Sequence, residues 1–312
     1  MKTKRSGLTV IEILVVVGII ALLVGMLLPA VHTVQKMAKE TKQRAQFTSI
    51  ELGLAAFKND YGDYPPSYWW DLSAPGGGPQ NYCGAQKLAE ALMGWDLLGF
   101  HPNSAWRADG LDASGGNMSY DPLRTRDLNN DGTPDTLDER KGRYVDLDTA
   151  NAFQLGKSAL RDGLFVSTSG GWGGAGALAP ETYVLCDVFP VNERKVALSD
   201  GKMVSPGTPI LYYKANTASK TIDIANMANL HENIYNSRDN AALVGLGRLA
   251  DTANSGTKRQ HPLVDFTYFY GYIRDTKVHA RNWPYRPDSY LLISAGADGL
   301  YGTDDDICNF GR

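Results

Sequence analysis

Residues 5–25 read RSGLTVIEILVVVGIIALLVG, and from Leu8 to Leu28 the chain is apolar apart from Thr9, Glu12 and the glycines at 18 and 25. As a helix rising 1.5 Å per residue, that run spans about 30 Å, the thickness of a bilayer core. Lys2, Lys4 and Arg5 precede it. This charge placement predicts a cytoplasmic N-terminus and an exported chain after Pro29. A secretory signal peptide would have a shorter core followed by a small-residue cleavage site. Here the run passes instead into LLPAVHTVQK, with charges following at helical spacing. A plain membrane anchor satisfies the hydropathy, and a buried core helix fits so continuous a run poorly. None of these readings explains Glu12, whose burial in lipid costs a few kcal/mol unless it is paired.

The stretch KRSGLTVIE, residues 4–12, resembles the prepilin processing signal of type IV pilins and type II secretion pseudopilins. That signal is a short basic leader ending in glycine, then an apolar residue, then glutamate at the fifth mature position. Gly7, Leu8 and Glu12 occupy these places, and the proline that the family carries at the twenty-second mature position falls on Pro29. The resemblance implies cleavage between Gly7 and Leu8 by a membrane prepilin peptidase, which also methylates the new N-terminus. It further implies that Glu12 of one subunit pairs with the Leu8 ammonium of another inside an apolar filament core, where an unpaired charge is expensive. Gly18, Gly25 and Pro29 are weak points of the helix. Filaments of the family melt part of this region, which these residues permit.

Beyond Pro29 the pattern becomes amphipathic. Val34, Ala38, Thr41, Ala45, Thr48, Leu52 and Ala55 recur at three- and four-residue steps beside Ile50, Leu54, Phe57 and Tyr61, while Lys36, Lys39, Lys42 and Arg44 fall elsewhere. The helix is predicted to end between Asp60 and Gly62, since Gly62 offers a stop and Pro65-Pro66 forbid continuation. The string LAAFKNDYGDYP, residues 54–65, is similar to the helix exit of major pseudopilins. A second helix is expected at Ala85–Leu97, with loops over residues 99–180. Strands are expected in TYVLCDVF (182–189), PILYYKAN (209–216), the alternating VDFTYFYGYI (264–273) and YLLISAG (290–296). The expected fold class is α+β: a long N-terminal helix packed on a mostly antiparallel sheet, with an enlarged, loop-rich body, which the resemblance makes a pilin fold. The segments are a leader (1–7), a membrane and assembly segment (8–29), an amphipathic half-helix (30–62) and an exported body (63–312).

Two acidic loops carry the candidate ligand chemistry. In DLNNDGTPDTLDE, residues 127–139, Asp127, Asn129, Asp131, Asp135 and Asp138 stand at positions 1, 3, 5, 9 and 12 of an EF-type calcium loop. Gly132 supplies the turn at position 6 and the carbonyl of Thr133 the ligand at position 7. The departure is Asp138, shorter than the usual glutamate, with Glu139 one place late; a solvated Asx turn is the alternative. In SAGADGLYGTDDDICNF, residues 294–310, the order of residues resembles the C-terminal calcium loop of major pseudopilins. By that match Asp298, Asp304 and Asp306 are the carboxylate ligands, and calcium has a structural role. Cys308 is a departure from the family there.

A formal charge of −3 argues against nucleic acid as a partner. Cys83, Cys186 and Cys308 lie far apart, so one bridge or none is open. The glycine run STSGGWGGAGAL, residues 167–178, lacks the GK[ST] ending of a phosphate loop, and the five histidines form no HExxH. An enzyme is not expected, and a membrane-anchored periplasmic hydrolase is the remote alternative. The resemblance implies a pseudopilus subunit of a type II secretion system, made as a single-pass inner-membrane precursor with its body in the periplasm. Its partners would be copies of itself, other pilin-like subunits, the peptidase and an inner-membrane assembly platform. The alternative is a minor type IV pilus-like subunit or a filament-borne adhesin, with YWW at 68–70 and NWPY at 282–285 as glycan-stacking candidates.

Overall fold

Helix α1 runs without interruption from Val10 to Tyr61 in the computed structural model, which describes residues 9–68, 82–113, 119–120, 135–156, 163–165, 178–198, 200–223, 232–251 and 258–311. It ends where the sequence directs. Gly62 takes φ +84°, a left-handed conformation that glycine adopts without penalty, and its N–H donates to the Lys58 carbonyl at 2.8 Å. The chain divides into two compact units, Met1–Lys42 and Gln43–Arg312, with the division inside α1. In the first unit every residue from Val10 to Leu28 is exposed, and the helix is long and apolar enough to cross a membrane.

In the second unit the face that α1 buries comprises Gln43, Gln46, Phe47, Ile50, Gly53, Leu54 and Phe57, at steps of three and four. This corrects part of the expected stripe: Ala45, Thr48, Leu52 and Ala55 face outward, Leu52 being 72% exposed. Two glutamines displace the apolar row because the loops beside them need polar partners. Gln43 Oε1 accepts from Val188 N at 2.9 Å, and Gln46 Nε2 donates to the carbonyls of Thr149 and Cys186, each at 2.9 Å. Gly53 is needed for close approach, since a Cβ there would stand 2.9 Å from Val145 Cγ2 and 3.1 Å from Leu92 Cδ2.

The remaining elements are short. Helix α2 (Gly84–Met93) is buried along its whole length and stops at Gly94, earlier than the expected Leu97. Single helical turns α3 (Asp135–Asp138) and α4 (Leu147–Ala150) follow. Strands β1 (Ala152–Gln154) and β2 (Tyr183–Leu185) form one antiparallel pair, and β3 (Val196–Ala197) and β4 (Met203–Val204) another. The three-stranded sheet at the centre joins β5 (Leu211–Lys214), β6 (Tyr290–Ser294) and β7 (Ile307–Cys308), with all ladders antiparallel. One face of this sheet, with Leu211, Tyr213, Leu291 and Ile293, belongs to a core shared with helices α5 (Ala241–Val244) and α6 (Phe266–Tyr272). The other face, with Tyr212, Tyr290 and Leu292, packs with Phe47, Ile50 and Leu54 of α1 and with Leu88 and Leu92 of α2. All three cysteines are free thiols, with Cys83 and Cys186 buried.

One expected strand is a helix. In VDFTYFYGYI, Asp265 caps α6 by accepting from the N–H groups of Thr267 and Tyr268. Phe269, Tyr270 and Ile273 are buried at helical spacing behind half-buried Phe266. The alternation of aromatic and polar letters carried both periods, and the cap selects the helical one.

Two substitutions separate the observed helix face from the expected one. Ile50→Ala, at a position with no exposure, is expected to destabilise the protein by about 2–5 kcal/mol in chemical denaturation. Leu52→Ala is expected to stay within about 0.5 kcal/mol.

Candidate functional site

The first candidate region lies at the start of α1. Thr9 and Glu12 form a reciprocal N-terminal cap, a threonine followed three residues later by glutamate. Glu12 Oε2 accepts from Thr9 N at 2.7 Å and from Thr9 Oγ1 at 2.9 Å, while Glu12 N donates to Thr9 Oγ1 at 3.3 Å. Glu12 thus has a partner within its own chain, a T-x-x-E signal legible in the sequence and distinct from the processing motif. Both side-chain bonds fall on one oxygen. Gly7 and Leu8 lie outside the described residues. Pro29 sits within the continuous span of α1, which the structure does not break there.

The second candidate region is the loop that leaves β6 and returns as β7. Asp298 Oδ1 accepts from Leu300 N at 2.7 Å, and Asp306 Oδ2 accepts from Gly302 N at 2.7 Å and from the Tyr272 hydroxyl. Asp305, which sequence reasoning passed over, lies between them: its Oδ2 accepts from Asp298 N at 2.9 Å and its Oδ1 from Thr303 Oγ1 at 2.7 Å. Asp304 is exposed. The loop therefore brings Asp298 and Asp306 together with Asp305, and turns Asp304 to solvent.

Crowding and burial set the electrostatics here. Burial raises the Asp298 carboxyl above the usual carboxylate range, and the Asp305 charge adds to this. Asp306 is pushed up to about 7, first by burial and then by Asp305 and Asp298, against the lowering effect of its bonds from Tyr272 and Gly302. Beneath the loop, fully buried Asp187 rises to about 8 through burial, although it accepts from Ser294 Oγ at 2.9 Å and Thr208 N at 3.0 Å. A cation would relieve this repulsion, so the loop suits one in charge. It is less well arranged in aim: among the described residues no three His, Cys, Asp or Glu side chains converge to hold a metal ion, and the loop's carboxylates are turned on N–H and hydroxyl donors instead.

Of the other acidic loop, Asp127, Asn129, Asp131 and Thr133 lie outside the described residues. Asp135 opens α3 and Asp138 closes it, exposed. The aromatic stretch NWPY is spent on packing. The half-buried Trp283 lies against the larger core with the Arg281 guanidinium 3.9 Å above its ring, and Tyr285 stacks on Phe310. Of YWW, Trp69 and Trp70 lie outside the described residues. Two histidines are structural: His101 faces Glu139 at 3.4 Å, and His261 Nδ1 accepts from Tyr301 N at 3.1 Å.

Comparison of the chain with protein-family models, with curated proteins and with solved structures gives no match.

His261 makes the seating of this loop sensitive to acid. Burial holds its pKa down to about 4, opposed by a bond to the Gly247 backbone and by Asp251. Because the folded value lies below the unfolded one, the neutral ring's contribution is complete above about pH 6.5 and is lost as pH falls toward 4. The stability difference between the protein and its His261→Gln variant, measured by urea unfolding, is expected to shrink by up to about 3 kcal/mol across that window. A difference independent of pH would show that His261 is not held neutral.

Proposed function

We propose that this chain is a pilin-like structural subunit of a helical envelope filament, of the kind that type II secretion systems build from pseudopilins. The observation that carries the reading is α1. It is a single helix whose Val10–Leu28 stretch is exposed and apolar all round, while its Gln43–Phe57 stretch buries one face in an α+β body. A span that crosses a membrane alone needs no continuous helical link into a folded domain. A subunit that must be drawn out of a membrane and stacked does. The prepilin-like Gly7-Leu8 junction ahead of it supplies the processing step, and Glu12 the charge that sets axial register. The partners are further copies of the chain and related subunits, the prepilin peptidase and an assembly platform.

The first test is chemical. Co-expression with a prepilin peptidase is expected to yield a mature chain beginning at N-methylated Leu8, read by mass spectrometry. Glu12→Gln then separates two roles, since glutamine keeps the capping box and removes the charge. The variant is expected to be cleaved normally, to keep its helix and to fail to form filaments. Filaments of normal number and length from Glu12→Gln would overturn the register role.

Within this reading, calcium completes the C-terminal loop. To hold it, Asp298, Asp305 and Asp306 would turn from the N–H and hydroxyl donors they now meet toward the ion, and backbone carbonyls of the same loop would supply the further hard oxygen ligands that calcium prefers. Its role is structural: neutralising crowded carboxylates so that the loop holds one shape. Chelation is expected to lower the melting temperature of the purified protein, and added calcium to restore it. Asp306→Asn is expected to abolish that response and Asp304→Asn to leave it intact. No change on chelation would sink the idea.

A further inference from the structure

Three lysines follow the apolar run of α1 at helical spacing. Lys36, Lys39 and Lys42 are exposed in the first unit, and at about 100° per residue they fall within about 120° of one another on the helix surface. Between Glu12 and Glu51 the only acidic residue is Glu40, which reaches Lys36 at 3.9 Å. Lys39 and Lys42 have no ion pair among the described residues. We propose that the three lysines form a collar that binds the headgroups of anionic phospholipids at a bilayer surface. The inference rests on α1 crossing a bilayer, and not on assembly of a filament.

Position selects the partner. At 1.5 Å per residue, Lys36 stands about 12 Å and Lys42 about 21 Å beyond Leu28, where the apolar run ends. The headgroup layer occupies about 5–7 Å beyond the hydrocarbon on each side. Helical side chains lean toward the N-terminus, here toward Leu28, and a lysine stem is long enough to bring its ammonium back to that layer from Lys36. Lys42, the furthest, acts through a Debye length of about 8 Å at physiological ionic strength. Residues 29–35 contain no Asp, Glu, Lys or Arg, so no fixed carboxylate or second cation competes for the same headgroups. Whichever way the span is threaded, the three ammonium groups stand at a lipid–water boundary.

The rest of the segment suits the same boundary. Val34 and Met37 are exposed on the side of the helix opposite the lysines, which gives this part of α1 the apolar and basic faces of an interfacial helix. Selection is by charge and not by shape, and each lysine near an anionic surface contributes about fivefold in affinity.

The test reconstitutes the full chain in phosphatidylcholine vesicles with spin-labelled lipid in trace amount. Electron spin resonance reads how much of the label is immobilised against the protein. Spin-labelled phosphatidylglycerol is expected to be selected about threefold or more over spin-labelled phosphatidylcholine. The preference is expected to vanish in about 1 M salt, where the Debye length is about 3 Å. The triple variant Lys36→Gln, Lys39→Gln, Lys42→Gln is expected to lose most of it at unchanged helix content, since glutamine and lysine have similar helix propensities. The charge-keeping set Lys36→Arg, Lys39→Arg, Lys42→Arg is expected to retain it, as is the leader set Lys2→Gln, Lys4→Gln, Arg5→Gln. The inference fails if the wild type selects no anionic lipid, if the glutamine triple variant selects it as well as the wild type does, or if either retaining set loses it. It fails also if inorganic phosphate releases the lipid more than chloride does at equal ionic strength, the mark of a discrete phosphate site. Extraction with alkaline carbonate separates the collar from the membrane reading beneath it. A chain washed from the vesicles overturns both, while an inserted chain without lipid preference overturns the collar alone.

Discussion

The body depends on one strand whose two faces are both covered. Strand β6, Tyr290–Ser294, is buried at every position, and because side chains alternate along a strand, its residues divide between two cores. Leu291 and Ile293 enter the core of α5 and α6; Tyr290 and Leu292 enter the core of α1 and α2. Its pairing with β5 sets Tyr213 opposite Leu291 and Tyr212 opposite Leu292, so each core receives matched pairs. A slip of one residue would exchange the two cores, which makes register a strongly determined quantity here. The acidic loop inherits that certainty. It starts where β6 ends and finishes where β7 pairs back, Ser294 opposite Ile307 and Ile293 opposite Cys308.

Polar side chains, rather than apolar ones alone, join α1 to this strand. The segment 186–189 is gripped from one side by Gln43, Gln46 and Asn151, whose Nδ2 donates to the Asp187 carbonyl at 2.7 Å. From the other side the Asp187 carboxylate holds Ser294 at the end of β6. A second tie runs through Arg286, whose φ of +50° places it in the left-handed region at a cost of about 1–2 kcal/mol. Its guanidinium bonds Glu51 of α1 at 2.7 Å and the Asn309 carbonyl at 2.8 Å, and Asn309 Nδ2 also reaches Glu51 at 3.0 Å. These charge-assisted bonds offset the strain. Both ties end beside the acidic loop, so the helix face from Gln43 to Glu51 and the loop are held by a common set of contacts.

What was legible in the sequence follows from which signals are local. The extent of α1 could be read because a long apolar run, a glycine and two prolines are local features, and three strands could be read from compact runs of β-branched, leucine and tyrosine residues. The buried face of α1 could not, because whether Gln43 or Ala45 turns inward depends on orphan N–H and C=O groups of loops more than a hundred residues away. The segment at 264–273 failed for a different reason, its aromatic residues fitting either period until Asp265 is seen as a cap. In the run Asp304-Asp305-Asp306, spacing alone does not say which of three adjacent carboxylates faces in. The turn at Gly302, where φ is +97°, decides that.

Glu12 carries two demands that a single hydrogen-bond inventory does not separate. In hydrocarbon an unsatisfied backbone N–H costs several kcal/mol, so a helix that is to enter a membrane by its N-terminus would need its first turn capped. Thr9 and Glu12 meet that need with bonds inside one chain. A cap, however, requires an acceptor and not a charge, and glutamine would serve as well. Under the proposed reading, in which α1 starts within a bilayer, an ionisable side chain at a position where ionisation is expensive calls for a partner that rewards the charge. Both cap bonds to the side chain fall on Oε2, so Oε1 can meet an ammonium without loosening the helix. Under the proposed reading that ammonium is the one created at Leu8 of a neighbouring subunit. Pairing then adds to the cap instead of replacing it, and the subunit enters a filament with its first turn already formed.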